Sequence, residues 1–232
     1  MRWLIAALFA LSLFYGLVSA APVGAQNVTA GTPVTLGSAS SGTAAAWGGN
    51  ITQVNFTINS STLHWQAFYG SISAGLRLAS ASGTVKNWTV STVHGMVYVS
   101  QSSNVDFSAV NSTGVNLAAV DGTFSFLAGA DDSAANTGTD ASNPQFNVSQ
   151  YQVSANSRPL ITTRDGSGAE SWRQVVLNDG DTANASHYVF AAFINASGYA
   201  YDNSSAQYQV IVPENSAGDI SPTTYYFYGE IQ

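Results

Sequence analysis

Three histidines, His64, His94 and His187, and thirteen carboxylates are the side chains in this 232-residue chain that could serve as acid, base or metal ligand. The histidines stand alone in the sequence, with no H-x-H or H-E-x-x-H spacing and no cysteine, so a tetrahedral metal centre lacks a ligand set. Serine is abundant, yet G-x-S-x-G does not occur. Two carboxylate pairs, Asp165/Glu170 and Asp179/Asp181, have the composition of a glycosidase dyad. Their neighbours point elsewhere, because Asp121-Gly122, Asp165-Gly166 and Asp179-Gly180 are turn dipeptides. Asp131, Asp132, Asn136 and Asp140 crowd one stretch and could offer oxygens to calcium, although their spacing is not that of an EF-hand. No constellation meets the geometric roles of an active site, so the chain is expected not to be an enzyme and to carry no cofactor.

The chemistry the chain does advertise is modification. Asn27, Asn50, Asn55, Asn59, Asn87, Asn111, Asn147, Asn184, Asn195 and Asn203 each have Ser or Thr two residues on. Chance placement at this composition would give about four such triplets. A sequon is an acceptor only where a glycosyl transferase meets the chain outside a membrane, so the excess implies export and N-linked glycans. The first twenty residues agree. Arg2 precedes an apolar run over residues 3–18, and Val18-Ser19-Ala20 offers small residues before Ala21, as in a signal peptide cleaved there. The C-terminal residues alternate and carry no hydrophobic tail, so the cleaved chain is expected to be secreted, with no membrane anchor.

Charge narrows the partners. Charged residues make up 8 % of the chain, against roughly 25 % in ordinary soluble domains. Arg77, Lys86, Arg158, Arg164 and Arg173 are scattered singly instead of clustering as a phosphate-binding surface needs, so no nucleic-acid partner is expected. So few charges leave little repulsion between copies, and self-association is favoured where glycans do not shield the surface. With no cysteine, stability must come from burial.

The elements that must supply that burial are strands. Apolar segments are short, rich in β-branched and aromatic residues, and alternate with period two. Strands are expected over 50–59, 63–69, 71–79, 84–90, 95–100, 122–127, 146–153, 172–177, 187–194, 207–212 and 224–231, with a helical turn only at 114–120 and a long exposed loop over 131–143. In 50–59 the residues Val54, Phe56 and Ile58 share one face, and Asn55 and Asn59 the other. Turning Trp88 inward likewise turns Asn87 outward. Segment 187–194 is apolar on both faces and must be central. Residues 50–232 therefore read as one mostly antiparallel β-sandwich, immunoglobulin-like or jelly-roll-like.

Residues 21–49 differ. Val28, Ala30, Val34 and Leu36 occupy even positions of a short strand over 27–37, and the uncharged Ser/Gly/Ala stretch 38–46 behind it is a tether. A strand on a tether can complete a neighbour's sheet, although Pro33 interrupts its donors. Trp65, Tyr69, Trp88 and Trp172 are the alternative signal, as stacking platforms for sugar or as core.

The stretches Gly48-Gly49-Asn50-Ile51-Thr52-Gln53-Val54-Asn55, Trp65-Gln66-Ala67-Phe68-Tyr69-Gly70-Ser71-Ile72-Ser73 and Asn87-Trp88-Thr89 come first in this comparison. With the terminal Tyr208-Gln209-Val210-Ile211-Val212-Pro213 and Thr223-Thr224-Tyr225-Tyr226-Phe227-Tyr228, they resemble secreted archaeal surface proteins of β-sandwich type. More broadly, the chain resembles subunits of archaeal extracellular threads and bundling pili. That resemblance implies a homopolymeric filament subunit joined by donor-strand complementation. The alternative is a carbohydrate-binding or adhesion module associated with the cell surface or S-layer.

Overall fold

The structure, a computed structural model, describes residues 21–36, 41–90, 93–110, 114–127, 129–214 and 222–230. The expected signal helix, residues 37–40 of the N-terminal strand and tether, and Asn111 lie outside the described residues. In chain order the strands are β1 (Val23–Gly24), β2 (Trp65–Gly70), β3 (Gly75–Ser80), β4 (Gly83–Thr89), β5 (Met96–Ser100), β6 (Gly138–Thr139), β7 (Phe146–Val148), β8 (Tyr151–Val153), β9 (Leu160–Thr163), β10 (Trp172–Asn178), β11 (Tyr188–Phe193), β12 (Gly198–Tyr199), β13 (Ser205–Ala206), β14 (Tyr208–Pro213) and β15 (Tyr226–Gly229). Two short helices, α1 (Leu117–Thr123) and α2 (Ala134–Thr137), lie between β5 and β7. The protein is all-β, and every strand pair is antiparallel.

β11 sits in the middle of a seven-stranded sheet of order β1-β15-β5-β11-β10-β9-β6, as its two apolar faces require. Tyr188, Phe190 and Ala192 point into one core with Val97, Val99, Val176, Val210 and Val212. Val189 and Ala191 point into the other with Met96, Tyr98, Val175 and Leu177. The first face is covered by the β2–β14 ribbon and by Leu117, Val120, Phe124 and Phe126 from the α1 region. The second is covered by Phe107 and Val110 and by the β7–β8 hairpin through Val148 and Val153. The main sheet is thus packed on both sides, mainly by loops, a hairpin and a two-stranded ribbon.

Several expected elements changed. Residues 122–127 do not form a strand. Asn116 caps α1 by accepting from the Ala119 amide, and Ser125 then takes a positive φ of 57°, so Phe124 and Phe126 are both buried from a turn. Alternation there comes from the turn. The stretch 131–143 is no long exposed loop: it holds α2 and β6 and buries Ser133, Ala134 and Asn143. β6, β9, β12 and β13 were not anticipated, being too short or too polar to show a period. Gly198 on β12 lies so close to Trp172 that an added Cβ would stand 2.3 Å from its ring, which explains glycine there.

The largest departures are N-terminal. Residues 50–59 form no strand, and Val54, Phe56 and Ile58 are 56 %, 78 % and 77 % exposed. Residues 27–36 form none either, with Val28, Ala30, Val34 and Leu36 all exposed. Only Val23 and Gly24 pair, at the β15 edge. Among the described residues β3 and β4 pair only with each other, so Trp88, expected to turn inward, is exposed, as are Leu76 and Leu78, while Asn87 stands opposite Arg77.

Candidate functional site

Most of the carboxylates singled out by the sequence are engaged in internal hydrogen bonds. Asp165 accepts from the Ser167 and Ala169 amides and from the Ser167 and Ser171 hydroxyls, at 2.5–3.2 Å. Those bonds, the Ser167 hydroxyl first, lower its carboxyl to about 2. Glu170 accepts from Thr162 instead of joining Asp165. Asp179 accepts from His187 Nδ1 at 2.5 Å and from the Asp106 amide at 2.9 Å, whereas Asp181 serves the Ala183 amide. Asp165 and Asp181 thus hold their own turns, whereas Glu170 and Asp179 are bonded to more distant partners.

The proposed calcium stretch is likewise dismantled. Asp140 accepts from the Leu117 amide at the start of α1, Asp132 is held by His64 and Thr62, and Asn136 donates to the Ala130 carbonyl. Asp121, outside that stretch, caps α2 through the Ala134 and Ala135 amides. Among the described residues no group of three or more metal-ligating side chains converges. His64, His94 and His187 are not brought together; His94 lines a shallow cleft with Trp172, Arg173, Phe193 and Asn195.

A pH expectation follows from Asp165. Its folded carboxyl titrates below the usual carboxylate value of about 3.9, so its contribution is fully present above that value and is lost as pH falls through about 2. Amide exchange at Ser167 and Ala169 should stay slow down to about pH 3 and accelerate below about pH 2. Acceleration already at pH 4 would contradict this role.

The aromatic candidates divide. Trp172 is buried and donates to the Tyr199 carbonyl, and Trp65 packs on Phe126 and donates to the Asp132 carbonyl, so both are structural. Trp88 is half exposed on the β3–β4 hairpin. Tyr69 and Tyr201 are exposed, their rings 5.4 Å apart edge to face, and the Tyr69 hydroxyl donates to Asp202 at 3.3 Å. The Asp202 charge is the main influence raising the Tyr69 hydroxyl above its ordinary value.

Nine of the ten sequon asparagines are described, and all nine are exposed. Asn147 shows the geometry well: it points out of β7 between half-buried Phe146 and buried Val148. Asn184 and Asn195, both exposed, use their side-chain oxygen to accept from the Ser186 and Ser197 amides.

The feature with the least internal partnership is the arm ahead of β2. Every described residue from Val23 to Leu63 is exposed. The arm's end is pinned: the Thr62 hydroxyl donates to Asp132 at 2.5 Å, His64 Nδ1 lies 3.0 Å from the same carboxylate, and Thr35 and Ser61 share a hydrogen bond of 3.1 Å. Beside it the β2–β14 ribbon has two unlike edges. On the β14 side, the buried Gln174 amide accepts from Ile211 N and donates to Ile211 O, each at 2.7 Å, and so satisfies that backbone as a strand would. On the β2 side no described strand follows. Phe68, Ile72, Tyr225 and Phe227 lie there, only partly buried against the core. No helix among the described residues is long and apolar enough to cross a membrane. The chain matches no family model, no curated protein and no solved structure.

Proposed function

We propose that this protein is a secreted, N-glycosylated structural subunit of an extracellular filament at the cell surface, joined to further copies of itself by strand exchange. The observation that carries this reading is the coexistence of a long arm of alternating, exposed apolar residues with a sheet layer of two strands whose outer edge pairs with no strand among the described residues. A polar chain end needs no such alternation, and a strand with high β propensity and no partner is a template for pairing with another chain. The low charge supports the same reading, since copies repel little. Exposed sequons support glycan attachment without obstructing either core. The signal-like residues 1–20 support export.

The test is made on native surface material and on the chain cleaved after Ala20. Negative-stain imaging with an antibody to this chain should label filaments, and the purified chain should sediment as polymer. Intact mass of the native form should exceed residues 21–232 by many hexose units. A monodisperse, unmodified monomer at high concentration would sink the proposal.

A second reading has its own observation. Tyr69 and Tyr201, exposed beside Asp202, are the combination of aromatic face and polar acceptor that sugar stacking uses. As an adhesion module, the protein would bind soluble oligosaccharides with quenching of tyrosine fluorescence, lost in Tyr201→Ala. Filaments unaffected by Tyr201→Ala, with no sugar-dependent signal, would leave assembly as the function.

A further inference from the structure

We infer that the strand which joins copies is residues 51–59, laid by one molecule along the open edge of β2 in the next, and not residues 27–37. This rests on the proposed assembly function and names the two surfaces that perform it.

The two halves of the arm differ in what they could pair. Residues 51–59 read Ile-Thr-Gln-Val-Asn-Phe-Thr-Ile-Asn, nine residues without Gly, Pro or charge and rich in β-branched types. Residues 27–36 contain Gly31 and Pro33, which weaken a strand and remove a donor from its middle. The first is the stronger strand sequence, yet it pairs with nothing among the described residues.

The edge of β2 has a matching shape. The backbone of Ile211 turns toward Gln174, so the opposed pair Ile211 and Ala67 is of the non-hydrogen-bonded kind, and the backbone of Ala67 turns away from β14. Two residues on, Tyr69 presents its backbone the same way. On that outer edge the exposed Gln66 side chain donates its amide to Ala67 O at 2.7 Å. Below the edge lie the half-covered rings of Phe68, Tyr225 and Phe227, with Phe68 and Phe227 5.3 Å apart edge to face. A strand added there with Val54, Phe56 and Ile58 downward covers those rings and continues the two-stranded layer over the core. The same orientation turns Asn55 and Asn59 to solvent, so both sequons stay usable in the joined state.

Closure within one chain is the competitor, because residues 60–64 are long enough for a hairpin loop. That loop is already committed elsewhere: Thr62 and His64 both bind Asp132, and Ser61 binds Thr35. The chain therefore leaves β2 instead of reversing beside it. Only two residues lie between Asn59 and Thr62, which are therefore at most about 10 Å apart along an extended chain, so the receiving molecule must sit directly against the donor.

The test uses the full chain cleaved after Ala20, which has no cysteine of its own. Phe56→Asp should lower the polymer fraction at least tenfold and leave the circular dichroism unchanged, because Phe56 is exposed in the monomer. Val34→Asp should polymerise as the parent does. Cysteine placed at 55, 57 or 59 in one preparation and at Ala67 in another should give, on mixing and oxidation, a disulfide-linked pair from at least one combination. The doubly substituted chain should give a ladder. If Val34→Asp blocks assembly and Phe56→Asp does not, the inference falls while the filament reading stands. If the doubly substituted chain closes only upon itself, strand exchange is overturned. If the parent chain neither polymerises nor crosslinks, both readings fall together.

Discussion

Phe190→Ala is expected to destabilise the protein by about 3–5 kcal/mol, the range for removing a fully buried aromatic ring from a core. Phe190 lies on β11, the central strand, and is 0 % exposed. Its ring packs against Phe124 at 6.2 Å, and the cluster around it draws on β5, β10, β14 and the α1 region. Those elements come from distant parts of the chain and cannot all collapse into the space left behind, so most of the cavity should persist. No disulfide is present to limit the loss. Chemical denaturation read by tryptophan fluorescence should show a lower midpoint at unchanged slope. Phe56→Ala, in the exposed arm, is the control and should shift the midpoint by less than about 0.5 kcal/mol. A loss under 1 kcal/mol for Phe190→Ala would mean that the layer over β11 is loosely packed.

Glu230→Ala is expected to cost about 3 kcal/mol, for a different reason. Glu230 is 0 % exposed; one carboxylate oxygen accepts from the Tyr98 hydroxyl at 2.6 Å and the other from the Ser149 amide at 2.9 Å. The carboxylate thus ties β5 to the turn between β7 and β8, across the second core. Burial, then the Glu230 charge, raises the Tyr98 hydroxyl far above its ordinary value, so the phenol stays a donor. Removing the carboxylate strands a buried hydroxyl and a backbone N–H together, and an unmet buried polar group is more damaging than the bond is helpful. Tyr98→Phe, which removes the donor and leaves the Ser149 bond in place, should cost about 1–2 kcal/mol. A double-mutant cycle from denaturant midpoints should give a coupling of at least about 1 kcal/mol. Additive losses would show that the two groups act separately.

Such effects on the body should be separable from effects on assembly. A variant that weakens the core lowers the midpoint in any oligomeric state, whereas the arm variants act only where copies meet.

Local pattern alone determined much of this molecule. Short alternating segments place β5, β10, β11, β14 and β15 within a residue or two, because each has β-branched or aromatic side chains on faces that must be buried. The two apolar faces of 187–194 require a central strand covered on both sides, and β11 is one. The Asp165-Gly166 dipeptide marks a turn, and the Asp165 carboxylate is spent on it. Asn147 points outward, since parity in a strand leaves no other choice once its neighbours are assigned, whereas Asn87 is exposed on a hairpin whose Trp88 is exposed as well.

Tertiary structure decided what period two cannot encode, which is whether an alternating segment has a partner. Residues 50–59 and 122–127 alternate equally well. The first lies exposed because Thr62 and His64, both bound to Asp132, lead the chain away from the neighbouring β2, and the second folds as a helix end and turn because Asn116 caps α1 and Ser125 takes a left-handed φ. Long-range polar contacts were likewise invisible: His64 meets Asp132, Glu230 meets Tyr98, and Gln174 closes the edge of β14, each across 37 residues or more. Such pairings depend on how strands are ordered in space. Composition constrains that order only through the burial it demands, so the edge of β2 and the arm beside it, neither of them joined by a further strand among the described residues, appear only once the sheet is assembled.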